Sequence, residues 1–443
     1  MSNTLLQSVR GMHDAFGDTF VQKQRLFHLF SDLAKAHGFK GLETPIVESQ
    51  GLFQRTNPDA DIVTKEMFRL APRTEPGADA LKTEKDEGFV LRPEGTAPAM
   101  RALLQHGLGQ RLPQRWFYAG PMFRYDRPQK GRLRQFHQLG LECFGDPHPL
   151  ADVDLITCGY RLLDLLGLAG DVSLSINSLG CRESRGRFAQ NLKTALQPFE
   201  KDLSNDSQRR LSKNPLRILD SKSPQDQKIV TDTLGTIPPL EATLSDTSQE
   251  RFKQVLAGLD ALSIPYKIDP TLVRGLDYYT ETTFEFKTDT LGAQGTVLAG
   301  GRFDGLSEML GGPPIPGIGW AAGVERLLLL AGDTLLKKAP KLPTLALLPI
   351  AADDQHHALR LASSWRESGF SVTLLLQPEA LGKRMKKAAT LGFTHTAILG
   401  TTERDAGTVQ LKNLETGAQE NLPQNKVPAF IQAAGTSAPG KAD

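Results

Sequence analysis

The chain has 443 residues, 39% hydrophobic and 23% charged, with a net charge of +2. That length exceeds what one hydrophobic core usually serves, so two or more domains are expected. The near-neutral balance excludes a polycation, and any nucleic-acid partner must be held by local basic patches. Cys143, Cys158 and Cys181 form no CxxC pair, which argues against a disulfide framework or a zinc knuckle and for reduced thiols. Met1 to Arg10 lacks the apolar core of a signal peptide. The most apolar run, Ala321 to Ala331, is broken by Glu325 and Arg326 and is about half the length of a membrane span. A cytoplasmic protein with no membrane partner is expected.

In chain order, Phe20 to Ala36 places Val21, Leu26, Phe27, Phe30, Leu33 and Ala34 at helical spacing, and Gly38 supplies a stop. Gly41 to Glu48 reads as a strand interrupted by Pro45, which belongs at an edge or interface because proline cannot donate to a ladder. Residues 70–88 read as an exposed loop or hairpin tip. Arg115 to Phe144 is strand, basic turn, strand, and Ala151 to Leu168 is a helix ending near Gly167 and Gly170. A polar, helical stretch over about 180–262 reads as an insertion. Strand character returns at Leu272 to Lys287, and a glycine-rich turn at Gly317 enters a helix at about Ala321 to Leu330. Lys337 to Pro343 is a linker by composition. Beyond it, strands at Leu345 to Pro349, Ser371 to Leu376 and Ala397 to Gly400 surround a helix at His356 to Ser368. This reads as a small α/β domain with a largely parallel sheet. The boundaries expected are 1–331, a linker at 332–343, a second domain at 344–432 and a flexible tail at 433–443.

The densest chemical signal is Phe123 to Arg134, with five cationic residues and one carboxylate. A basic loop between two strands suits polyphosphate, because arginine offers a planar fork of donors matched to phosphate oxygens. The following strand puts Phe136, Gln138, Gly140 and Glu142 on one face and His137, Leu139 and Leu141 on the other. A ring, an amide, a bare backbone position and an acid make a poor core face and a good ligand wall. Three further segments join it. Arg92 to Ala97 sets a carboxylate and a hydroxyl around a glycine, suited to a primary ammonium. Leu272 to Tyr279 sets an arginine and two tyrosines beside a β-rich run, and Gly317 to Arg326 is rich in glycine. Gly317, Gly319 and Gly323 do not make a dinucleotide fingerprint, because the spacing is off and prolines precede them. Gly300-Gly301 with Asp304-Gly305 reads as a turn of close backbone approach.

Together, in this order, these segments resemble the class II aminoacyl-tRNA synthetases, and within them the histidine enzymes. Gly41 to Glu48 is similar to motif 1, the dimer-interface strand; Phe123 to Phe144 is similar to motif 2, and Gly317 to Leu330 to motif 3. Arg274 to Tyr279 and Ala299 to Gly305 resemble the two signatures peculiar to the histidine enzymes, and Arg10 to Asp14 also fits. The resemblance runs from about residue 8 to about 432. It implies an α+β catalytic domain on a mostly antiparallel sheet flanked by helices, an anticodon-binding α/β domain, a homodimer, and histidine, ATP with Mg2+, and tRNA(His) as partners.

The same resemblance implies roles. Arg124 would bind the α-phosphate and the substrate carboxylate, with Arg274 beside it where related enzymes use magnesium; these two are the catalytic candidates. Phe136 would stack on adenine, Arg326 would lie on its other face or on the γ-phosphate, and Arg132 would reach the outer phosphates. The Glu94-Gly95-Thr96 turn and Gln138 would take the histidine ammonium, and Glu142, Tyr278 and Tyr279 the imidazole. No metal ligand is assigned. Gln129, Lys130 and Arg132 would meet the acceptor end with its extra 5′ guanosine, and Lys383, Arg384, Lys386 and Lys387 form the best basic patch for tRNA in the second domain. Asp126, Phe303 and Leu133 depart from the usual pattern. The rival is the synthetase-like regulatory subunit of ATP phosphoribosyltransferase, which generally lacks the anticodon domain and several motif arginines.

Overall fold

The computed structural model describes residues 5–58, 60–71, 88–129, 131–219, 221, 223–273, 278–292, 295–337, 344–377 and 379–436. Two compact units emerge, Met1–Lys338 and Ala339–Asp443.

In the first unit, helix α1 (Gly17–Ala36) buries Leu26, Phe30 and Ala34, one apolar face at four-residue spacing. Next come β1 (Lys40–Gly41), β2 (Val47–Ser49), α2 (Gln50–Thr56), α3 (Asp61–Thr64), β3 (Phe89–Leu91), α4 (Thr96–Gln105), β4 (Gln114–Phe123) and β5 (Gln135–Phe144). Helix α5 (Pro149–Leu165) starts on His148, whose ring accepts from Leu150 N, and carries proline in its first turn. Strand β6 (Ser173–Ser178) leads into the insertion, which contains α6 (Arg182–Leu196), α7 (Asn205–Lys213), α8 (Pro224–Leu234) and α9 (Asp246–Ala261). Ser204, Ser223 and Ser245 cap α7, α8 and α9 through their hydroxyls. Then follow β7 (Tyr266–Ile268), β8 (Thr280–Lys287), β9 (Thr296–Arg302), α10 (Leu306–Met309), β10 (Gly317–Gly323) and α11 (Val324–Lys337).

Eight strands form one sheet in the order β1-β4-β5-β10-β9-β8-β6-β7. Only the edge pairs β1/β4 and β6/β7 are parallel; the inner pairs are antiparallel. Helices α1, α5, α9 and α11 cover one face, packing Phe30, Leu155, Val255 and Leu327 on Leu139, Leu141, Ile318 and Trp320. The alternate residues Phe136, Gln138 and Ala321 are left to line a cavity on the other face.

Four local expectations are corrected. The segment Gly41 to Glu48 is not one strand: β1 joins the large sheet, while β2 pairs with β3 in a separate two-stranded ribbon. Pro45, having no N–H, stands where the chain passes between them. Gly317–Gly323 is a strand rather than a turn, and Gly300-Gly301 lies inside β9. Their glycines serve side chains across the sheet. A Cβ at Gly317 would overlap the Phe303 ring, and one at Gly300 would overlap Gly319 O and Trp320. Strand β8 begins at Thr280; Leu272 and Val273 are irregular.

The second unit has β11 (Thr344–Pro349), α12 (Gln355–Glu367), β12 (Ser371–Leu374), α13 (Leu381–Thr390), β13 (His395–Leu399), α14 (Thr401–Ala406), β14 (Thr408–Asn413), β15 (Gln419–Pro423) and α15 (Val427–Thr436). The sheet order is β12-β11-β13-β14-β15. β11 runs parallel to both of its neighbours, but β14 and β15 add an antiparallel hairpin. The sheet is therefore mixed, not largely parallel. Gly417, at φ +74° in the connecting turn, permits the reversal.

Candidate active site

On the face of the large sheet away from α1 lies a cavity of about 290 Å3, lined by β5, β9, β10, the loop 124–133, the Glu94 turn and Tyr278-Tyr279. The Glu94 turn is fixed from behind by Arg92. Its guanidinium donates to Thr44 O (2.6 Å), Thr44 Oγ1 (2.9 Å) and Pro121 O (3.0 Å). The Glu94 carboxylate accepts from the N–H groups of Thr96 (2.6 Å) and Ala97 (3.0 Å), so it caps α4 while facing the cavity. Burial raises its carboxyl above the ordinary range, opposed by those two N–H groups.

At the closed end, Glu142 Oε1 accepts from Thr96 Oγ1 (2.7 Å) and the Tyr118 hydroxyl (3.2 Å). Glu142 is fully buried, and burial, with Glu94 nearby, pushes its carboxyl well above the usual carboxylate range. Its Oε2 and the Oε1 of Gln138 are buried without a hydrogen-bond partner among the described residues. Such bare polar atoms are costly unless a ligand meets them. Tyr118 and Tyr278 are buried beside these groups, and desolvation raises both phenols.

The structure brings Glu94, Thr96, Arg124, Arg132, Phe136, Gln138, Tyr278, Tyr279 and Arg326 to this one cavity. Gly95 and Glu142 stand one layer behind the lining. The bare position at Gly140 belongs to the expected ligand wall, but its space is filled by Tyr118: a Cβ at Gly95 or Gly140 would overlap that ring. Tyr118 is the residue that the sequence reading missed. It sits directly opposite Gly140 in the β4/β5 register, and an aromatic facing a bare position was the available signal.

At the mouth, Arg124 Nε donates to Pro93 O (2.9 Å) and its guanidinium lies 5.1 Å from the centre of the Phe136 ring. Arg326 donates to Gly131 O (3.1 Å) and Thr296 O (2.6 Å). Burial lowers the pKa of both arginines, and the charge of Arg132 adds to it. Arg132 is ion-paired with Asp126 and with Glu66 (3.4 Å). Glu66 was not foreseen either; it enters from a segment about 60 residues upstream. Burial raises its carboxyl, with Arg124 opposing.

Other expectations fall differently. Arg274 and Lys130 lie outside the described residues, as do 72–87, 338–343 and 437–443 of the expected loop, linker and tail. Gln129 is exposed and exchanges backbone hydrogen bonds with Arg132. Phe303 is buried against Tyr278 and Phe144 and takes no part in the cavity. Arg384 corrects the basic patch: it is 5% exposed and donates to Pro349 O (2.7 Å) and Leu375 O (3.2 Å), leaving Lys383 and Lys386 as the exposed cations. Among the described residues, no group of three or more His, Cys, Asp or Glu converges as a metal site, and no helix is long and apolar enough to cross a membrane.

A family profile described as histidyl-tRNA synthetase matches residues 11–327, and one described as anticodon binding domain matches 344–434. The second match covers the part that the regulatory-subunit reading generally lacks. A histidine–tRNA ligase of Rhodospirillum rubrum is 45% identical over 419 residues, covering 94% of this chain and 96% of the relative. One from Thermosynechococcus vestitus is 44% identical over 424 residues, covering 95% of each. Among solved structures, the apo histidyl-tRNA synthetase of S. aureus superposes with a TM-score of 0.77 at 29% identity, covering 97% of this chain and all of the other. With motifs, fold and near full-length relatives in agreement, the chain belongs to the histidyl-tRNA synthetase family.

Proposed function

We propose that this protein activates L-histidine with ATP and then transfers histidine to the 3′ end of tRNA(His). The observation that carries the reading is the polarity of one cavity: arginines at its mouth, and at its floor the unpaired buried Oε1 of Gln138, with the unpaired Oε2 of Glu142 one layer behind it. Polyphosphate suits the mouth, and a small ligand rich in N–H groups suits the floor.

The attacking group in the first step is the substrate's own carboxylate, ionised at neutral pH because its pKa is near ~3.5. One carboxylate oxygen bonds to the α-phosphorus and pyrophosphate departs, so no side-chain base is required. Catalysis is then positioning and charge neutralisation, assigned to Arg124 with Arg274. Arg132 and Arg326 take the outer phosphates, and Phe136 the adenine. In the second step a terminal hydroxyl of tRNA attacks the acyl carbon and AMP leaves. Glu94, Thr96 and Gln138 hold the ammonium. Glu142, Tyr278 and Tyr279 read the imidazole, whose donor N–H finds the free Glu142 oxygen. Mg2+ fits as an ion carried on the ATP phosphates, because the nearby carboxylates Asp126 and Glu66 are both engaged with Arg132.

Gln129, Lys130 and Arg132 are assigned to the acceptor end of tRNA(His). Lys383, Lys386 and Lys387 are assigned to phosphates elsewhere on the tRNA, with Arg384 withdrawn. The working domains are 1–337, because α11 runs through the first residues of the expected linker, with the insertion at about 180–262, and 344–432. A homodimer is supported by the outward face of the β2/β3 ribbon, where Val47 and Phe89 are 43% and 59% exposed beside Ile46 at 43%. A cytoplasmic location completes the reading.

Charging assays test it. With ATP and histidine, tRNA(His) should be acylated and other tRNAs not. Formation of an adenylate that never reaches tRNA would confine the protein to amino-acid activation.

A further inference from the structure

Three arginines, Arg124, Arg132 and Arg326, line one cavity, and their like charges oppose each other there. Arg132 is flanked by two side-chain carboxylates. Its Nε pairs with Asp126, whose other oxygen accepts from Arg127 N (2.6 Å), and its Nη2 lies 3.4 Å from Glu66 Oε1. Glu66 is itself fixed. Its carbonyl accepts from Tyr125 N (2.6 Å) at the start of the same loop, and its N–H donates to Asp61 O (3.0 Å) at the start of α3. The backbone contact holds Glu66 against the loop, while its carboxylate holds the arginine.

Arg132 keeps further N–H donors for phosphate, but the two carboxylates paired with it repel an incoming polyphosphate. At ~4 Å a like-charge contact in a partly desolvated site is worth more than thermal energy. Moving the guanidinium away from the two carboxylates when ATP enters relieves that repulsion. The arginine is the mobile partner, on a side chain 29% exposed, whereas Glu66 and Asp126 are only 18% and 15% exposed.

We propose that Glu66 and Asp126 form a counter-ion clasp that holds Arg132 in the empty site, and that Arg132 leaves it for the outer phosphates and returns when pyrophosphate departs. Glu66 is on this account a positioning residue, weakening nucleotide affinity so that product can leave. The inference rests on the assignment of this cavity to ATP.

The test compares wild type with Glu66→Gln in the full-length protein, measuring KM for ATP, KM for histidine, and inhibition by inorganic pyrophosphate. Glu66→Gln keeps the shape and the backbone contacts but removes the charge. A threefold to tenfold fall in KM for ATP is expected, with a parallel fall in the pyrophosphate inhibition constant and an unchanged KM for histidine. In the Arg132→Ala background the same substitution should have no effect on either. An unchanged or raised KM for ATP, or an equal shift in both KM values, overturns the clasp. A wild-type protein without histidine-dependent ATP–pyrophosphate exchange would instead sink the ATP assignment itself, so the two failures are distinct.

Discussion

The carboxyl group of Glu142 lies in the space that a side chain at Gly319 would occupy. The two residues face one another across the β5/β10 ladder, and a Cβ at position 319 would overlap Glu142 Oε2. The glycine of one strand is therefore the condition for the acid of the other to lie directly behind the cavity lining.

Gly319→Ala should displace that carboxyl and its bonds to Thr96 and Tyr118. The expected result is at least a tenfold rise in KM for histidine with KM for ATP changed less than twofold. Steady-state exchange at varied histidine and varied ATP checks it. Equal losses for both substrates would show a general disturbance of the sheet.

Glu142 also makes a pH prediction. Its carboxyl is raised well above the ordinary value by burial. Between the ordinary and the raised value, the folded protein binds a proton that the unfolded chain does not. This contribution to stability is present at low pH and is lost as pH rises through that window. Glu142→Gln should therefore lose less stability than wild type between pH 5 and pH 8, as read from urea midpoints. The two proteins having the same slope would contradict it. Activity should fall, because the amide puts an NH2 group in place of one of the carboxyl oxygens assigned to the imidazole.

Behind the site, Asp152 of α5 is fully buried. It pairs with fully buried Arg302 of β9, accepts from Thr282 Oγ1 (2.7 Å), and lies 3.3 Å from Arg251 in α9. Asp152→Ala leaves the buried Nε and Nη2 of Arg302 without their carboxylate, with Nη1 still on Asp304 and Asp146 O, a loss of about 3–5 kcal/mol. Chemical denaturation should show it. A loss under about 1 kcal/mol, the range of an exposed pair, would mean that water reaches Arg302.

In the second unit, Arg384 and Lys383 should separate cleanly. Arg384→Ala leaves two buried carbonyls without their donor, costing about 1–3 kcal/mol, and should lower the melting temperature. Lys383→Ala and Lys386→Ala should leave melting unchanged and reduce the salt dependence of tRNA affinity. Reversed outcomes would return Arg384 to the tRNA surface.

Residues close in sequence were the legible ones. The alternation from Phe136 to Glu142 gave a face, and the basic loop before it gave a phosphate site. The strand at Gly317–Gly323 was hidden because its glycines answer to Glu142 and Phe303, partners far away in the chain, and not to local β propensity. Tyr118 and Glu66 were hidden for the same reason: each acquires meaning only from a cross-strand or cross-loop neighbour. Arg384 was in principle legible. It lies three residues after Leu381 and four before Ala388, on the face that α13 buries, so helical spacing alone opposed its use as a surface cation. Arg302, by contrast, carried no sign that its counter-charge would be Asp152, 150 residues earlier.

The cavity is assigned to the activation of one amino acid with ATP. ATP–pyrophosphate exchange, run separately with each of the twenty amino acids, tests it most directly. Exchange is expected with histidine alone, abolished by Arg124→Ala. Exchange with another amino acid at a comparable rate, or with none, would contradict it.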